Sequence, residues 1–177
     1  DASVLPAVKG QPFHVGPLVN VYNEATLSYL ARLGARSVAL PPELPSASIA
    51  AIAAARGDVE IEVWAFGRIP LAISARCYHA RAHKLTKDSC QFVCSNDPDG
   101  LRVETLDERG FLAINGVQTL SYTYCNLIRE VAGLASLGIG SFRLSPHSCD
   151  MIAVAEIFRA VLEGKLGCDE AMARLEA

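Results

Sequence analysis

Val59-Glu60-Ile61-Glu62-Val63-Trp64-Ala65-Phe66 alternates apolar and polar residues over its first half, and Gly67 and Pro70 follow it. Alternation with a period of two marks a strand, and the glycine and proline place its end. Immediately upstream, Ile49, Ile52 and Ala53 form the inner face of a helix, with Ser46 as its cap and Gly57 at its close. Further back, Ser37-Val38-Ala39-Leu40 reads as a short buried strand closed by Pro41-Pro42. Before that strand, Ala25, Leu27, Leu30 and Leu33 fall mostly on one face of a helix from Glu24 to Leu33. Asn23 is its N-cap, and Gly34 supplies the left-handed residue that stops it. Phe13-His14-Val15-Gly16 is the first strand, ending at Gly16-Pro17. The order strand, helix, strand, helix, strand argues for parallel strands joined by crossover helices.

Downstream of Phe66 the regular pattern breaks. A cysteine-rich insertion of about residues 74–100 ends in the turn signal Asn96-Asp97-Pro98-Asp99-Gly100. Leu101 to Leu106 and Phe111 to Ile114 read as a hairpin joined through Asp107-Glu108-Arg109-Gly110. After Asn115-Gly116 a helical pattern is expected, with Cys125 near its start, Leu127, Val131, Leu134 and Leu137 on its apolar face, and Gly138 at its end. Gly140 to Leu144 forms another strand, finishing in Ser145-Pro146-His147. The last long helix, about Asp150 to Leu162, carries Ile152, Ala155, Ile157 and Val161, and the tail from Cys168 adds a turn or two. The expectation is a single α/β domain over residues 1–177 built from repeated βα units. Three or four such units make about half of a TIM-like (β/α) barrel, here with the cysteine-rich insertion and a hairpin.

At 177 residues the chain is long enough for a core and does not need cysteine staples, so its six cysteines call for another account. Sixteen basic against nineteen acidic residues leave a net charge of -3, with no basic block to serve as a nucleic-acid or membrane footprint. Apolar residues make up 51% of the chain, yet charged residues, glycine or proline interrupt every stretch. None reaches the roughly 18 residues of a membrane span. With no secretory leader pattern and a clustered set of thiols, a soluble, cytoplasmic protein is expected.

Cys77, Cys90 and Cys94 fall within eighteen residues, among Arg76, Arg81, Lys84, Lys87, Asp88 and Gln91. Those are poor neighbours for an apolar core, whereas thiolates hold zinc or iron–sulfur clusters. Only Cys90 and Cys94 form a close pair; zinc sites usually take thiols in pairs, so the spacing favours iron–sulfur over zinc. Cys149, His79 and His83 are the available fourth ligands, and Cys125 is a poorer one. His79 and His83, four apart, could share a helical face. Arg76 and Arg81 would offset the negative charge of thiolate-bound iron. Cys125 and Cys168 fit the part of small buried hydrophobes.

A second constellation lies at the expected carboxyl ends of strands: Glu43, Arg68, and Arg143 with Ser145 and His147. Ligands bind at that rim in barrels and open α/β sheets, which makes Arg68 and Arg143 candidates for holding a carboxylate-bearing small molecule. The sequence carries no recognisable Ser-His-Asp triad, Gly-rich phosphate loop or His-Glu-x-x-His motif.

Glu62-Val63-Trp64-Ala65-Phe66-Gly67-Arg68-Ile69-Pro70-Leu71-Ala72-Ile73-Ser74-Ala75-Arg76-Cys77 resembles the signature of the collagenase-like peptidases of unassigned mechanism, in the UbiV-like branch of ubiquinone-biosynthesis iron–sulfur proteins. Gly16-Pro17-Leu18-Val19-Asn20-Val21-Tyr22-Asn23, Asn115-Gly116-Val117-Gln118-Thr119 and Arg143-Leu144-Ser145-Pro146 are similar to further landmarks of that family in the same order. The resemblance implies a 4Fe-4S cluster held by four cysteines. Three of them match Cys77, Cys90 and Cys94 in a Cys-x12-Cys-x3-Cys segment. The fourth belongs to an amino-terminal half that is not part of these 177 residues, so the chain resembles the carboxyl-terminal part of a longer barrel-like protein. It also implies a heterodimer with a UbiU-like partner that hydroxylates a small aromatic substrate, the ubiquinone precursor ring, without O2. Alternatives left open are a collagenase-like peptidase or peptide-binding protein with a zinc or structural thiol site, and an assembly partner whose thiols are structural.

Overall fold

The chain opens with a short helical turn, α1 (Leu5–Val8), and then lays down β1 (Phe13–Val15), β2 (Ala35–Ala39) and β3 (Glu60–Ile73). β1 pairs with β2 and β2 with β3, both parallel, with Val38 opposite Ile61. The two crossovers are α2 (Glu24–Leu33) and α3 (Ser46–Ala54). This first half follows the reading of its sequence closely. Asn23 caps α2 by accepting the Thr26 N–H at 2.9 Å. Gly34 ends the helix at φ +116°, where an added Cβ would run into the Gln11 carbonyl. In α3 the cap position is Pro45, whose N–H-free nitrogen and extended backbone start the helix, and Ser46 is the first helical residue.

The structure is a computed structural model and describes residues 2–176. Its seven strands form one mixed sheet in the order β1-β2-β3-β6-β5-β4, with β7 also paired to β3. Here β4 is Leu101–Glu104, β5 Gly110–Asn115, β6 Gln118–Asn126 and β7 Ser141–Leu144. The parallel run of consecutive strands accords with βα units. Beyond it the pairing turns antiparallel, so the architecture is a mixed open sheet with helices.

Two stretches depart from their sequence reading. β3 does not stop at Gly67 but continues to Ile73, passing Gly67 at φ +102° and Pro70 by shifting register on both sides of the proline. A proline lacks the N–H that a ladder needs, and the irregular pairing absorbs that loss. The stretch after Asn115-Gly116, expected to be helical, is instead β6. Gly116 and Val117 form a two-residue turn that sets Asn115 opposite Gln118, with Gly116 at φ +60°. Thr119, Tyr122, Thr123 and Tyr124 suit a strand, and the helical spacing begins only downstream, in α5 (Val131–Ser136). Cys125 therefore lies on β6, opposite Gly67.

The chain divides into two compact units. The first takes residues up to Ala65, Leu127–Leu144 and the chain from Val154 onward. Its core gathers Leu27, Leu30, Val38, Leu40, Ile52, Ile61 and Ile139 between sheet and helices. The helices α6 (Met151–Leu162) and α7 (Cys168–Glu176) end the chain. In α6 the buried positions are Val154, Phe158 and Val161, at helical spacing, whereas Ile152 is largely exposed. The second unit, Phe66–Asn126 with Ser145–Ala153, holds the antiparallel strands and the cysteine segment. Among the described residues no helix is long and apolar enough to cross a membrane.

Candidate metal centre

Cys77 stands at the N-cap of a short helix, α4 (Tyr78–Ala82), and its sulfur accepts the Ala80 N–H at 3.4 Å. Cys90 ends a 3-10 turn formed by Lys87–Ser89, and Cys94 lies inside a second one, Val93–Asn96. None of the three is in a disulfide, and each is half-buried. Between the last two thiols, Gln91 and Phe92 both take the left-handed conformation, at φ +51° and +53°. Neither is a glycine, so each position costs about 1–2 kcal/mol, and Phe92 is 77% exposed at the tip. Arg76 and Arg81 are exposed nearby in sequence.

The same segment carries a second donor set. His79 is fully buried on α4. Its Nδ1 lies 3.2 Å from the Ile114 carbonyl oxygen of β5, and its Nε2 lies 3.0 Å from Asp97 Oδ2. The His83 ring, one helical turn on, stacks on His79 with centroids 5.6 Å apart and planes 9° from parallel. The ligand atoms of His79, His83 and Asp97 lie within 4.8 Å of one another, the one such set among the described residues. The three thiols do not form such a set. Three thiolates on one zinc would have to, because Zn–S bonds of about 2.3 Å in a tetrahedron hold their sulfurs about 3.8 Å apart. Asp97 was legible only as part of a turn; its signal was a carboxylate following an i, i+4 pair of histidines.

The remaining cysteines are dispersed. Cys149 is exposed, its thiol directed at Met151 Sδ at 3.6 Å. Cys168 is half-buried at the start of α7, its thiol 3.8 Å from the Ile128 carbonyl.

Arg68 and Arg143 fall in different units. Arg68 is 4% exposed, and its Nη1 donates to the carbonyls of Ser121, at 2.8 Å, and Tyr122. Its guanidinium stacks 4.7 Å from the Tyr124 ring centre, and its Nε is buried without a partner. Arg143, half-exposed on β7, directs Nε and Nη2 at Glu62 Oε1, both at 2.6 Å, and lies over the Trp64 ring at 5.8 Å. Both arginines thus have protein partners, and Glu43 accepts the Tyr22 hydroxyl proton.

His147 and Asp99 form a polar knot in the second unit. The Arg68 backbone N–H donates to His147 Nε2 at 3.0 Å, so the neutral ring carries its proton on Nδ1, facing Asp99 Oδ1 at 3.3 Å. Asp99 also accepts the Ser148 N–H at 2.8 Å and the Ser148 hydroxyl. Burial pushes the His147 pKa down, and the Arg68 charge adds to that, against the pull of Asp99. For Asp99, burial works upward, but the hydrogen bonds from Ser148 and His147 outweigh it and hold the carboxyl low. Although a serine, a histidine and an aspartate meet here, they are not a catalytic triad. Ser148 bonds Asp99 rather than His147, and the nitrogen that would take the serine proton is occupied by a backbone N–H.

Residues 2–168 match the sequence profile of peptidase family U32, and the chain belongs to that family. No solved structure matches it.

Proposed function

We propose that this member of peptidase family U32 is a UbiV-like iron–sulfur subunit, acting with a UbiU-like partner in a heterodimer that hydroxylates the ubiquinone precursor ring without O2. The observation that supports this reading is the donor set: Cys77, Cys90 and Cys94 at Cys-x12-Cys-x3-Cys spacing on one segment, none in a disulfide. The Cys77 sulfur also accepts the Ala80 N–H, which orients it at the start of its helix. These residues fit the group. A bound 4Fe-4S cluster supplies one-electron transfer. The part of the chain itself is to present three soft ligands on a polar segment, with Arg76 and Arg81 offsetting their negative charge. The fourth ligand comes from outside this set. Arg68 and Arg143 enter the proposal as charged groups beside the strands, available to an anionic substrate only if their present partners yield. The address this reading assigns is the cytoplasm.

Iron, acid-labile sulfide and zinc, measured with a visible spectrum on protein purified without oxygen, test the reading. Near-equal iron and sulfide at about four per chain are expected, and Cys77→Ala, Cys90→Ala or Cys94→Ala should abolish the chromophore. A variant that kept its full iron and sulfide, or zinc as the sole metal in the parent, would overturn it. Zinc with chelator-sensitive cleavage of collagen-like peptides would move the assignment to a peptidase.

A further inference from the structure

We infer that His79, His83 and Asp97 form a mononuclear site for a divalent first-row transition ion, separate from the three thiols. The argument begins with His79. Both of its ring nitrogens face oxygen acceptors, the Ile114 carbonyl at 3.2 Å and Asp97 Oδ2 at 3.0 Å. An imidazole with one N–H satisfies one acceptor and turns a lone pair on the other; a second proton or a metal ion at that nitrogen satisfies both. With the proton on Nδ1 toward Ile114, the Nε2 lone pair meets the carboxylate, and a cation placed between them removes that repulsion. This is the arrangement metal-bound histidines adopt, the far nitrogen donating to a backbone carbonyl and thereby orienting the ring.

The separation suits the purpose. Two ligand atoms each about 2.1 Å from an ion and at right angles to each other stand about 3.0 Å apart, the His79–Asp97 distance. His83 adds the third donor from the C-cap of α4, within 4.8 Å of the other two. The site is anchored on one side and open on the other. His79 is fully buried against β5, whereas His83 is exposed, so water or a small oxyanion can fill the remaining positions. Two imidazoles and one carboxylate suit Zn(II), Co(II), Fe(II) or Mn(II) in preference to Ca(II) or Mg(II). Since His79 follows Cys77 by two residues and Asp97 follows Cys94 by three, an ion here clamps both ends of the thiol segment.

The test uses the full chain with Cys77→Ser, Cys90→Ser and Cys94→Ser together, stripped with chelator and titrated with Co(II) and then Zn(II). One equivalent is expected to bind, with weak Co(II) d–d absorption, no thiolate-to-metal charge-transfer band, and a rise in Tm as zinc is added. His83→Ala, at an exposed position, should fold normally and weaken binding by about tenfold or more. If the triple variant fails to fold, the parent chain with its thiols alkylated takes its place in the same titration. Absence of stoichiometric binding, a charge-transfer band, or unchanged affinity in His83→Ala overturns the site. None of these outcomes depends on the iron and sulfide content of the parent, so the cluster reading stands or falls separately.

Discussion

His147 shows how a single side chain ties stability to pH. Burial and the neighbouring Arg68 charge lower its pKa in the folded protein below the ordinary 6.5, so as pH falls the unfolded chain takes up the proton first. The stability it contributes is complete above about pH 6.5 and drains away as pH drops below that value. The urea midpoint of the parent should therefore fall between about pH 7 and pH 5, and His147→Gln should flatten that slope. Equal slopes in the two proteins would clear His147 of the effect. From sequence this histidine was legible as a rim residue grouped with Arg143 and Ser145, but its bond is to the Arg68 backbone N–H on β3. No side-chain pattern announces a partner of that kind.

At the level of elements, Gly67 carries the greatest local constraint. It holds a left-handed conformation within β3, and an added Cβ would sit 2.7 Å from Ser145 Cβ and 2.9 Å from the Ser145 carbonyl oxygen. Gly67→Ala combines the conformational penalty with overpacking and should cost about 2–4 kcal/mol, read as a lower denaturant midpoint at unchanged m-value. A midpoint within error of the parent would show that the strand does not pass Gly67 in this conformation. Glycine and proline were read as the end of the strand because they usually are; here tertiary pairing with β6 carries the strand past both. The helices were legible because caps and periodicity agreed, as at Asn23 and Gly34. β6 was not, because leucines spaced for a helix lie just beyond it and drew the helical reading upstream, across a glycine turn. The thiols stood out by density alone, while Asp97 joined the histidines only through the fold.

For the whole molecule, the apolar core of the first unit sets the scale of stability. Ile61 is fully buried on β3 and Ile73, on the same strand, is 62% exposed. Ile61→Ala should lower the unfolding free energy by about 2–5 kcal/mol, and Ile73→Ala should leave it within about 0.5 kcal/mol, both by denaturant melts. Similar losses at the two positions would mean that Ile73 is covered in solution. The bridge between Cys90 and Cys94 has another character. Gln91 and Phe92 hold an unfavourable backbone there, flanked by single-turn hydrogen bonds from Val93 to Cys90 and from Asp97 to Cys94. Opening that loop sacrifices little and relieves strain, so it belongs among the first parts of the chain to exchange its amide hydrogens.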